Sequence, residues 1–134
     1  MAALTITAAS VIKGANSQAS IGTCAETITA GKPVYRTSTG TFGLFDPSSA
    51  TKNELHGVAI QGGASGQPFV YLRSDAALVL GQATSLAGLP CFAISGGLSV
   101  TPSDVATGHK TNVAGVFNDD GTLNLSIVVG GSKV

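Results

Sequence analysis

Histidine and cysteine, the usual zinc ligands, occur at four positions: His56, His109, Cys24 and Cys91. Zinc sites draw their ligands from short clusters such as Cys-x2-Cys or His-x3-His, because one ion must be reached by several side chains at once. No such spacing occurs here. His56 lies in Leu55-His56-Gly57-Val58, which reads as a strand with its imidazole turned to solvent. Cys24 and Cys91 read as small buried hydrophobes. Ser65 follows Gly62-Gly63-Ala64, yet a nucleophile elbow needs glycine two residues beyond the serine, and Gln67 stands there. No glycine-rich run ends in Lys-Ser or Lys-Thr, so no phosphate loop is expected. Asp119 and Asp120 are the adjacent carboxylates. They precede Gly121, where aspartate serves a turn, and a calcium loop needs more oxygen ligands at alternate positions. The expectation is therefore no catalytic residue, no metal, no cofactor and no enzymatic activity.

The charge balance points the same way. Seven basic and seven acidic residues cancel, and only 10% of the 134 residues are charged, against about 25% in ordinary domains. Nucleic-acid binding requires a basic stripe to neutralise phosphates, and an anionic membrane surface requires a basic patch. Neither partner is expected. A neutral, charge-poor surface is poorly defended against association. It suits a protein that sits against copies of itself or against a larger assembly. The opening Met1-Ala2-Ala3-Leu4-Thr5-Ile6-Thr7 lacks the basic start and apolar run of a signal peptide. Reduced thiols and synthesis in a host cytoplasm are the corresponding expectations.

The elements around these residues are strands, and the chain states them twice. Gly31-Lys32-Pro33-Val34-Tyr35 recurs as Gly88-Leu89-Pro90-Cys91-Phe92, 57 residues on. At the same offset Ser38 meets Ser95 and Gly40 meets Gly97. Leu55-His56-Gly57-Val58-Ala59 then falls opposite Val113-Ala114-Gly115-Val116-Phe117, and Gly66 opposite Gly121. A repeat of this length implies duplicated supersecondary units. The first copy reads as a hairpin from Pro33 to Phe45, a break at Asp46-Pro47, one helical turn over 50–54 and a strand from Leu55 to Ile60. A strand from Pro68 to Leu72, a turn at Ser74-Asp75 and an apolar run from Ala76 to Leu80 follow. The second copy repeats the order, with strands at 90–94, 98–100 and 112–117. Asp120-Gly121 is the strongest turn signal, and the last strand places Leu123, Leu125, Ile127 and Val129 on one face. Short strands at intervals of about ten residues, with almost no helical periodicity, predict an all-β protein. The expected fold is a small β-barrel or β-sandwich of two similar halves, spanning about 29–80 and 86–130 within a domain of residues 24–134.

Residues 1–23 differ in texture and are expected to form an extended N-terminal arm or a first strand. Strand addition gives a peptide backbone hydrogen bonds without needing charge. That makes Leu4, Ile6, Val11 and Ile12 the candidate partner-binding residues.

The order of motifs resembles the small capsid cement, or head decoration, proteins of tailed bacteriophages. The resemblance rests on Gly31-Lys32-Pro33-Val34-Tyr35, Gly57-Val58-Ala59, Gly66-Gln67-Pro68-Phe69-Val70 and the terminal alternating strand, and covers about residues 26–131. It implies a virion protein bound to the outside of the phage shell. The partners would be the major capsid protein and further copies of the chain, a trimer being favoured by three-subunit sites. It implies no catalytic residues. The competing expectation is a carbohydrate- or host-binding β-module of a virion fibre or tail. Sugar sites use exposed aromatics for stacking, and it ranks second because the chain has no Trp and its Tyr35 and Tyr71 both lie in strong strands.

Overall fold

The computed structural model describes residues 3–15 and 17–134. Among the described residues ten strands carry the fold. They are β1 (Ser20–Thr23), β2 (Pro33–Arg36), β3 (Phe42–Leu44), β4 (Gly57–Gln61) and β5 (Pro68–Leu72), then β6 (Ser74–Leu78), β7 (Pro90–Ile94), β8 (Gly97–Ser99), β9 (Lys110–Phe117) and β10 (Leu123–Ser132). The helical elements among the described residues are three single 3-10 turns, at Ala8–Ser10, Thr84–Leu86 and Pro102–Asp104.

The strands form two antiparallel five-stranded sheets in the orders β1-β5-β4-β2-β3 and β6-β10-β9-β7-β8. Each strand of the second sheet takes the place of the strand five earlier in the first. The doubling therefore extends from sequence to topology, and the fold is the expected all-β body of two similar halves. The glycine corners match bond for bond. Gly31 N–H donates to Ala59 O (2.7 Å) and Ala59 N–H donates to Lys32 O (2.9 Å). In the second half Gly88 donates to Phe117 O (2.9 Å) and Phe117 donates to Leu89 O (3.0 Å). Both glycines have positive φ, +90° and +79°, a conformation that other residues adopt only at a cost. The prolines two residues later open β2 and β7, where a missing N–H is tolerated.

The halves begin earlier than the sequence suggests. Ser74-Asp75 is not a turn. The first sheet ends at Leu72, a bend at Arg73 follows, and β6 starts at Ser74 on the edge of the other sheet. Ser74–Leu78 thus opens the second half, as Ser20–Thr23 opens the first, so the segment expected to close one copy begins the next. Asp75 is tolerated in a strand, although 5% exposed, because its carboxylate accepts Gly14 N–H (2.7 Å) and Ala77 N–H (3.0 Å). Other departures are smaller. Residues 50–54 make turns without a helix, and β4 starts at Gly57, after His56. The face of β10 breaks at an irregularity between Leu125 and Val128, leaving Val129 exposed.

The larger core lies between the sheets and joins Phe45, Leu55, Val58 and Leu72 to Leu78, Leu98, Phe117, Leu123 and Leu125. A smaller core of Cys24, Ile28, Val34, Phe42, Ala59, Phe69 and Tyr71 is enclosed by the first sheet. Strand alternation sends Val58 to one core and Ala59 to the other. Burying both faces requires the first sheet to roll. Its edges do meet, since Cys24 bridges Phe42 and Ala25 N–H donates to Phe42 O (2.6 Å). Asn112, fully buried on β9, ties the halves together. It accepts Leu55 N–H (3.1 Å) and donates to Asn53 O (2.9 Å).

Candidate interaction surface

The two cysteines and His56 contribute to packing, and Asp46 and Asp120 to turns. Cys24 lies in the smaller core and Cys91 in the larger, both as free thiols. Burial pushes the Cys91 thiol up to about 12 and raises Cys24 as well, so neither is poised as a thiolate. His56 is not the solvated strand histidine expected. It is half-buried at the rim of the smaller core, its ring 5.2 Å from Phe42 and 5.5 Å from Tyr71. Desolvation lowers its pKa, and Arg73 and Arg36 lower it further. Asp120 is held below the usual carboxylate range by the Thr122 hydroxyl (2.6 Å) and N–H (3.0 Å). Asp46 is lowered chiefly by Ser48 in the same way. These carboxylates close turns. No group of three His, Cys, Asp or Glu converges among the described residues. Of the two tyrosines, Tyr71 is buried among Phe42 and Phe69, and Tyr35 is half-buried on β2.

The arm residues separate into two groups. Leu4 and Ile6 pack partly buried against the larger core, and Val11 is a buried member of it. Ile12 is 58% exposed. In this chain the first three are engaged by its own body, and Ile12 alone of the four faces outward. Met1, Ala2 and Asn16 of the expected arm lie outside the described residues.

The surface that sequence reading missed is the outer face of the second sheet. Phe92 on β7 stands opposite Val113 on β9, and Val113 opposite Val128 on β10. A second row runs from Pro90 through Val116 to Asn124. Ser126 on β10 meets Ser74 on β6. Val128 is 59% and Val116 46% exposed. No side chain in these rows is charged. Isolated exposed hydrophobes are normal, but cross-strand rows of them on one face mark contact surfaces. The signal was present in Phe92, Val113 and Val128, yet it became visible only with the register. Gly115 permits the packing of β9 on β10, because a Cβ there would run into the Asn124 carbonyl.

The chain matches no family model, and neither the curated proteins nor the solved structures contain a match to it.

Proposed function

We propose that the chain is a structural virion protein that binds the outer surface of a tailed-phage capsid and stabilises it by bridging coat subunits. The observation that carries the reading is the uncharged outer face of the second sheet, rimmed by a surface with few charges elsewhere. Such a face loses little on desolvation and gains from every apolar contact. Its footprint, on the order of 300 Å² from strand spacing and rise, is well below the roughly 800 Å² per partner of a self-sufficient interface. One copy therefore binds weakly. Copies held together in a closed oligomer bind by avidity, with gains of about 10² to 10⁴. A trimer matches a site where three coat subunits meet. The resemblance in the order of glycine motifs supports the same reading, and the burial of Tyr71 weakens the sugar-binding alternative.

The test is sedimentation of the purified chain with expanded capsids of the phage that encodes it. The chain is expected to pellet with the shells and to raise their temperature of disassembly. Failure to pellet, or no change in shell stability, would reject the proposal.

A further inference from the structure

The two sheets solve the same closure problem in different ways. The first sheet closes on itself through Cys24 and Phe42. In the second, the N-terminal arm is laid between the corresponding edge strands. Leu4 N–H donates to Leu98 O on β8 (2.7 Å). Ile12 exchanges two backbone hydrogen bonds with Val79, just beyond β6 (3.0 and 2.9 Å). Gly14 N–H reaches Asp75 on β6. Between these points Val11 enters the larger core, and Ile6 lies against Gly31. The seam of the second sheet is thus completed by a segment whose chain continues into β1, on the edge of the first sheet.

We propose that this seam is an exchange site for the arm of a second copy of the chain. The occupant's chemistry is on view, since the seam already holds Leu4, Ile6, Val11 and Ile12. An arm from another copy makes the same contacts, so exchange changes connectivity and not bonding. Among the described residues, the hold on the arm comes from three backbone bonds to the second half's edges, side-chain bonds from Gln82 to Thr5 O and from Gly14 N–H to Asp75, and Val11 as its buried side chain. The redirecting residues Ser17, Gln18 and Ala19 belong to no strand. Arm exchange joins copies into a closed oligomer and leaves the outer face of the second sheet free. The inference does not depend on the capsid reading.

Two variants that each add one cysteine to the buried Cys24 and Cys91, Ile12→Cys and Val79→Cys, test it when mixed, co-incubated and oxidised under native conditions. Ile12 and Val79 form a hydrogen-bonded antiparallel pair, whose Cα separation of about 5.5 Å lies within disulfide range. A covalent heterodimer of the two, at least several-fold above that of Ile21→Cys mixed with Val79→Cys, is the expected result. Ile21 is 75% exposed and pairs with Val70 on β5, not with Val79, so it reports random collision. Heterodimer no more abundant than this control would overturn the proposal. Should a cysteine variant misfold, sedimentation of the unmodified chain against a full-length Leu4→Ser, Ile6→Ser variant decides. Loss of the oligomer in the variant supports exchange, and an unchanged state, or a monomeric parent, rejects it.

Discussion

Gly31 and Gly88 hold the same corner in the two halves, but their surroundings differ. A Cβ at Gly88 would meet nothing within 4 Å, whereas one at Gly31 would lie 2.6 Å from Ile6 Cγ2. Gly88→Ala should therefore cost only the strain of positive φ, about 1–2 kcal/mol. Gly31→Ala should cost more, because it also pushes the arm off the core. Urea denaturation of the two variants reads the difference, and equal losses would show that Ile6 yields freely. His56 gives a pH dependence of definite sign. Its folded pKa lies below its ordinary value of 6.5, so the unfolded chain binds the additional proton. Stability from this group is complete above about pH 6.5. It is lost as pH falls from there toward the lowered folded value. His56→Phe should flatten the fall in urea midpoint between pH 7.5 and pH 5, and an equally steep fall in the variant would assign it elsewhere.

At the scale of elements, Asn112 on β9 adds hydrogen bonds to the Asn53–Leu55 segment of the first half beside the shared core. Asn112→Leu leaves Leu55 N–H and Asn53 O without their partner. Buried unsatisfied groups cost about 1–3 kcal/mol each, so a loss of at least about 2 kcal/mol is expected in thermal or chemical denaturation. A near-neutral effect would show that water reaches the Asn53–Leu55 loop. Much of the element level was legible in sequence. The hairpin turns, the paired Gly-x-Pro corners and the cores of most strands follow from glycine, proline and alternation. Two features were not. Ser74-Asp75 has turn composition but lies in a strand, because the Asp75 carboxylate finds backbone donors from Gly14 and Ala77, one of them 61 residues away in sequence. The irregularity in β10 arises from pairing with β9, which no local pattern encodes. Likewise, Phe92, Val113 and Val128 lie on three strands, and only their register makes them neighbours.

At the scale of the molecule, duplication has left two unequal halves. One rolls around its own aromatic core, and the other depends on the arm and presents a neutral sheet face. Replacing Val116 and Val128, which are not cross-strand partners, together with aspartate tests that face. The exposed or half-exposed positions should tolerate the change with little loss of thermal stability, while a charge pair on the contact surface should abolish sedimentation with capsids. Loss of folding would place these valines in the body's own stability, and retained capsid binding would remove the face from the account. The most direct measurement is a cryo-electron microscopy reconstruction of capsids decorated with this chain. The account predicts density at sites where coat subunits meet, with Phe92, Val113 and Val128 turned toward the shell. Undecorated shells, or a bound chain with that face turned to solvent, would contradict it.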